Sequence, residues 1–302
     1  MIKNKIIIDC DPGVDDALAI IFVLQSPKLE ILGITTVAGN RDLKSTTRNA
    51  LRVLSSFNIT TIPVCAGASK PLSRNLYEPK EDSSHGIDGL GDANIPEASF
   101  EAKENAVEFL KNLIEKNPGE VSLVAIGPLT NIANVLNVVD PKKIKDIWIM
   151  NGVFWKEGNA TPYAEFNAYI DPEATKIVYE SGVPIYAVGL DATDQFSLSR
   201  AEFEKLKEIK TFQAQFVSKI FDWAFKRRER EKYAVFWDFL TVFWLLNRSL
   251  ISSRHGKVEV EISGEQEGQT KFIETNDGQV EVAEKLDINQ CQKIFFEFFN
   301  AI

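Results

Sequence analysis

The stretch Ile6–Ile20, IIIDCDPGVDDALAI, joins a β-branched apolar run to an apolar helical run across a segment that holds four aspartates. Lys5 to Ile8 reads as a short strand apolar on both faces. Pro12-Gly13 opens a helical pattern from Val14 to Leu24. A buried strand feeding directly into a helix begins a βαβ unit, and strands of that kind belong to parallel sheets covered by helices.

The same alternation continues outward. Leu29–Val37, Ile62–Cys65, Val121–Ala125, Ile147–Met150 and Ile185–Val188 read as buried strands, with helices at Leu43–Ser56 and Ala102–Lys116. Lys70–Ala98, rich in Pro, Gly, Ser and Asp, has neither period, and loops of such length in compact domains are usually functional. Helices return at Arg200–Glu208, Thr211–Arg228 and Trp237–Leu246, strands near Lys257–Ile262, Thr270–Ile273 and Val280–Val282, and a last helix at about Asn289–Phe299. No Pro-Gly-Ser linker divides two cores. The expectation is one α/β domain over residues 1–302, with a mostly parallel, doubly wound, Rossmann-like sheet flanked by helices.

Composition sets limits on function. The 302 residues are 44% hydrophobic and 25% charged, as in ordinary globular proteins. A net charge of −9 and a pI near 5.0 lack the basic footprint of a nucleic-acid binder. No run of 18 apolar residues and no signal-peptide pattern is present, so neither membrane nor export is expected. Cys10, Cys65 and Cys291 are odd in number and far apart, which suits neither a disulfide framework nor a zinc site. A cytoplasmic location fits best.

Asp9, Asp11, Asp15 and Asp16 fall within eight residues at a strand-to-helix junction. Asp9 and Asp11 can share one face of the strand end, and Asp15 and Asp16 sit in the first helical turn, where the macrodipole favours negative charge. Dipole effects of about 0.3–1 kcal/mol per group do not hold four close carboxylates ionised away from water. A bound cation does. Oxygen ligands without clustered His or Cys point to Ca²⁺ or Mg²⁺. A strand-end DxD also opens haloacid-dehalogenase-like phosphatases, which need a later Thr or Ser and a Lys, and Thr130 and several lysines are available.

Four segments decide between these readings: DCDPGVDDALAI, TTVAGN (Thr35–Asn40), VAIGPLTNIA (Val124–Ala133) and NATPYAEFNAYIDPEA (Asn159–Ala174). In this order, over most of the chain, they resemble the inosine/uridine-preferring nucleoside hydrolase family. The resemblance implies a Ca²⁺ site made by Asp11, Asp16, the main-chain carbonyl of Ile126 and Asp238. It implies ribose contacts at Asp15, Asn40, Asn159, Glu165 and Asn167, with Met150 lining the site. Asn40 and Asn159 both follow Gly and would also suit turns with φ above zero. The implied reaction is hydrolysis of the N-glycosidic bond by a water activated at the cation, with Asp11 as general base. The transition state would be oxocarbenium-like, its charge stabilised by nearby carboxylates and amide oxygens such as that of Asn167. The family commonly forms homodimers or homotetramers, so the same is expected here.

Position 237 departs from the better-known members. They carry a His before the last calcium-binding Asp, whereas the segment AVFWDFLTVFW places Trp237 there. Only His85 and His255 remain; His85 lies in SSHGIDGLGD, similar to a His-Gly in a mobile flap over the base, and His255 in an Arg-His-Gly segment reads as a surface turn. A Trp before Asp238 resembles the purine-specific inosine-adenosine-guanosine branch, where stacking raises the purine's proton affinity. Trp155, Phe154, Tyr163, Tyr233 and Phe236 are other aromatic candidates for the pocket wall. A pyrimidine or broad-specificity hydrolase, and a weakly active nucleoside-binding protein of the same fold, stay open as alternatives.

Overall fold

The computed structural model describes residues 3–76, 85–227 and 233–300. Its strands are β1 (Asn4–Cys10), β2 (Leu29–Thr36), β3 (Val64–Ala66), β4 (Lys103–Glu104), β5 (Val121–Ala125), β6 (Asp146–Met150), β7 (Ile185–Val188), β8 (Ser197–Ser199), β9 (Tyr233–Val235), β10 (Ile251–Val260), β11 (Thr270–Glu274) and β12 (Val280–Leu286). The helices are α1 (Val14–Leu24), α2 (Leu43–Ser56), α3 (Ala106–Lys116), α4 (Thr130–Leu136), α5 (Phe166–Ile170), α6 (Pro172–Tyr179), α7 (Leu190–Thr193), α8 (Arg200–Glu208), α9 (Phe212–Arg227), α10 (Trp237–Leu246) and α11 (Ile288–Asn300).

One sheet holds ten strands in the order β11-β10-β12-β7-β6-β5-β1-β2-β3-β4, and β8 pairs with β9 apart from it. Pairings from β12 through β4 are all parallel; β10 runs antiparallel to β11 and β12. From β1 the chain builds β2, β3 and β4 to one side, then returns to lay β5, β6 and β7 on the other. The strand order therefore reverses between β1 and β5. In open α/β sheets the crevice beyond the carboxyl ends at such a reversal is where ligands bind.

The helix after β1 is buried along its length, from Val14 to Val23, which explains why its sequence is apolar all round beyond Asp15 and Asp16. Its partner is α10, equally apolar, and the ring of Phe22 meets Phe239 edge-on at 4.9 Å and Phe243 at 6.1 Å. The two helices also meet at their first turns. Asp15, Asp16 and Asp238 all lie in those turns.

Some boundaries move for local reasons. The helix expected from Ala102 starts at Ala106, because Asn105 takes a left-handed conformation (φ 69°) and its side chain accepts from Glu108 N, while Lys103–Glu104 becomes the edge strand β4. The strand expected from Ile62 begins at Val64: Pro63 has no N–H to pair, and only its carbonyl joins β2, accepting from Ile34 N at 2.9 Å. His255 is exposed as expected but sits within β10 opposite Glu281, not in a turn. The neighbouring glycine serves strand approach, since a Cβ on Gly256 would stand 2.2 Å from the Ile273 carbonyl oxygen. Residues 77–84 of the long loop, and Arg228–Glu231 of the basic run Lys226–Glu231, lie outside the described residues. Cys10, Cys65 and Cys291 are buried free thiols. Among the described residues no helix is long and apolar enough to cross a membrane.

Candidate active site

Asp11 leaves β1 at the sheet reversal, and Ile126 leaves the adjacent β5, tied back by its N–H to the Asp9 carbonyl at 2.9 Å. The Asp11 carboxylate is seated where side chains are excluded. A Cβ on Gly39 would lie 2.2 Å from its Oδ2, and one on Gly127 2.6 Å from its Oδ1. Asn40 N donates to Asp11 Oδ2 at 2.6 Å, and Asn40 Nδ2 reaches the Asp11 carbonyl and Asp16 Oδ2 at 3.2 and 3.3 Å. We expect Gly39→Ala to displace this carboxylate and lower kcat/KM about a hundredfold, as misplacement near 1 Å does; unchanged steady-state kinetics would show that the seat tolerates a methyl group.

Asp16 accepts from Asp11 N at 3.1 Å and Gly13 N at 2.9 Å, so it caps α1 while facing its acidic neighbours. One carboxylate oxygen each from Asp15, Asp16 and Asp238 lies within 4.8 Å of the others, and all three residues are buried. The trio includes Asp15, expected at the ribose, and leaves Asp11 beside it. Burial first, and the neighbouring carboxylates second, push Asp11 and Asp238 well above the usual carboxylate range. The same causes raise Asp16 to about 7. Asp11 Oδ1 and Asp15 Oδ1 are buried without a hydrogen-bond partner.

Helix dipoles do not account for this arrangement, because about 0.3–1 kcal/mol per group falls short of the several kcal/mol that burying each ion demands. The donor set fits a hard divalent cation: every ligand atom is oxygen, and two of the carboxylate oxygens lack any protein donor. The Ile126 carbonyl, buried beside them, accepts from Asn167 Nδ2 at 3.2 Å.

Asn167 donates both to Ile126 O and, at 3.0 Å, to Met150 O, so its Oδ1 is the end left to accept from a ligand. Glu165 caps α5: Oε1 accepts from Asn167 N, and Oε2 from Gly152 N and Ala168 N. Burial raises its carboxyl to about 7 against those donors. Asn159 is exposed, and its Oδ1 accepts from Phe166 N at 2.8 Å. Neither Asn40 nor Asn159 has a positive φ, so the turn reading of Gly-Asn does not explain them.

His85 is buried at the start of α1. Its Nδ1 accepts from Val14 N at 3.3 Å and stands 3.6 Å from Asp15 Oδ1. Arg41, buried next to Asn40, donates to the carbonyls of Gly86 and Ile87 and so ties this loop to the acidic floor. Trp237 is half-buried, and its Nε1 donates to Asp194 Oδ1 at 3.2 Å. Of the other aromatic candidates, Phe236 belongs wholly to the core, whereas Tyr233 and Trp155 are 56% and 42% exposed.

Sequence reasoning did not single out Asn131, Thr35 or Arg41. Asn131 and Thr35 both donate to the buried Asp9, and Asn131 Oδ1 accepts from Ala68 N. The available signal was an asparagine buried inside the apolar pattern LTNIANVL. Thr130, the residue a phosphatase would need, donates its hydroxyl to Asp171.

The family profile described as inosine-uridine preferring nucleoside hydrolase matches residues 6–293. The chain belongs to that family. It is an enzyme, a nucleoside hydrolase. A pyrimidine-specific ribonucleoside hydrolase RihA of Salmonella arizonae is 41% identical over 268 residues, 86% of this chain and 85% of the relative. A plant nucleoside hydrolase, PpNRh1, superposes with a TM-score of 0.93 at 30% identity over 99% of each chain. A purine-preferring ribonucleoside hydrolase from Gardnerella vaginalis gives 0.92 at 29% identity over 98% of each. The fold thus agrees with solved nucleoside hydrolases, as a single α/β domain around a mostly parallel sheet.

Proposed function

We propose that this enzyme hydrolyses the N-glycosidic bond of ribonucleosides to free base and ribose, with Ca²⁺ as cofactor and with purines preferred. The carrying observation is the meeting of four buried carboxylates, two with unpaired oxygens, with Asn40 and Asn167 at the sheet reversal. Asp11, Asp16, Asp238 and the Ile126 carbonyl would hold the ion, an all-oxygen set suited to Ca²⁺. When bound, the ion supplies Lewis-acid polarisation that makes a water nucleophilic near neutral pH.

Asp11 takes the proton of the attacking water, and its seat between Gly39 and Gly127 fixes the direction of transfer. Asp15, Asn40, Asn159, Glu165 and Asn167, with Met150 beside them, hold the ribose hydroxyls. The Oδ1 of Asn167 stabilises positive charge as the bond to the base breaks. His85, next to Asp15, is a further substrate contact in this reading. A homodimer or homotetramer and a cytoplasmic location complete the reading, the latter in keeping with three free thiols.

Purine preference rests on Trp237. An aromatic pair contributes about 0.5–1.5 kcal/mol beyond area burial, and a purine offers two fused rings to the indole where a pyrimidine offers one. The rival reading, pyrimidine preference, draws on relatives at 40–41% identity that are named pyrimidine-specific. Reducing-sugar release from a nucleoside panel separates them. We expect higher kcat/KM for inosine, adenosine and guanosine than for uridine and cytidine, with Trp237→Ala costing the purines more. A wild-type preference for uridine would select the rival.

A further inference from the structure

We infer that Asp194 is a specificity-determining positioning residue, which fixes the ring of Trp237 for stacking on the base. The inference rests on the reading of Trp237 as a wall of the base site. Trp237 is the first residue of α10, only half-buried, so packing alone leaves its ring room to turn about the side-chain torsions. The indole has a single donor, Nε1, and commits it to Asp194 Oδ1 at 3.2 Å. That bond selects one of the two ring flips and thus the face and edge offered to a ligand.

The carboxylate also acts on the ring electronically. Accepting from Nε1–H shifts electron density into the indole, and a more negative face favours a base that has taken up a proton and so can depart neutral with the bonding electron pair. Lys156 pairs with the other oxygen, Asp194 Oδ2. Lys156 belongs to the segment between β6 and α5 that also carries Asn159 and Glu165. The short α7, which Asp194 directly follows, pins that segment a second time, since Asp191 accepts from Phe154 N at 2.7 Å and Trp155 N at 2.8 Å. Asp194 therefore links the base wall to the segment that carries two of the proposed ribose contacts.

The test compares kcat/KM for inosine and uridine in Asp194→Ala, Asp194→Asn, Trp237→Phe, Trp237→Ala and the double variant Asp194→Ala/Trp237→Phe, with melting temperatures measured alongside. Loss of one hydrogen bond of this kind corresponds to about threefold to tenfold. The inosine-to-uridine ratio should fall by that factor in Asp194→Ala. Trp237→Phe, which keeps a ring but has no N–H, should lower it at least as far, and the double variant should match Trp237→Phe alone. Asp194→Asn keeps an oxygen acceptor for the indole and should keep most of the ratio.

Effects of Asp194→Ala and Trp237→Phe that multiply in the double variant would overturn the inference, as would an Asp194→Ala that slows both substrates equally. If Trp237→Ala lowers the ratio and Asp194→Ala leaves it unchanged, Asp194 alone is wrongly assigned. If Trp237→Ala leaves the ratio unchanged as well, the base-wall reading has failed, and Asp194 falls with it.

Discussion

Asp11→Asn should reduce kcat between about a hundredfold and ten-thousandfold, the range expected for a positioned general base. Asparagine fits the same space between Gly39 and Gly127 and can still accept from Asn40 N through its amide oxygen, so the loop keeps its shape. What it loses is the proton acceptor and one negative charge. Nucleoside binding, followed by calorimetry at saturating Ca²⁺, should stay within a few fold of wild type, because the proposed ribose contacts at Asn40 and Asn167 are untouched. The loss then falls on kcat and not on KM, the mark of an interaction made in the transition state. Turnover within threefold of wild type at saturating Ca²⁺ would rule out Asp11 as the base.

Removal of the cation should abolish activity and lower stability in a manner that depends on pH. In the metal-free protein, burial raises Asp9 and Asp16 to about 7 and pushes Asp11 and Asp238 well above the usual range. These groups titrate near 3.9 when unfolded. Between roughly pH 4 and pH 7 the folded state therefore binds more protons than the unfolded state, and stability falls as pH rises through that window. A cation reverses the balance by favouring the ionised forms.

Ca²⁺ at about a hundredfold over its dissociation constant would add about 2.7 kcal/mol. For a chain of this size that is a melting shift of roughly 4 °C. We expect the shift between Ca²⁺-loaded and chelated protein to be larger at pH 8 than at pH 5, with sugar release lost on chelation and restored by Ca²⁺. Equal shifts at the two pH values would mean that the acidic cluster does not bind the ion, and full activity in verified metal-free protein would exclude the cofactor.

Much of this was legible in IIIDCDPGVDDALAI. Three β-branched residues, then Pro-Gly and a helix that is apolar beyond Asp15 and Asp16, leave few alternatives to a buried strand and a buried helix, and the sheet class follows from repeating that pattern. The acidic cluster was also legible in part, because Asp9 to Asp16 are close along the chain, and local geometry forces neighbours in sequence to be neighbours in space. Boundaries failed where a single residue overrides a period: Pro63 has no N–H for the ladder, and Asn105 in the left-handed region delays α3. Short helices such as α5 and α7 escaped because four or five residues carry no period; side chains at their ends, Glu165 and Asp191, hold them in place.

Tertiary structure alone decided the partnerships across the chain. Asp238 lies more than two hundred residues beyond Asp16, and no periodicity relates them; the resemblance to a family had named it, but the packing of α10 along α1 is what brings the two carboxylates together. The single donor of Trp237 could have met water or any acceptor, and its bond to Asp194 follows from where β7 delivers α7 at the end of the sheet. Sequence determines which groups are available and what they prefer locally. Which of them meet is set by how buried helices and strands fill one core, and that is a property of the whole chain.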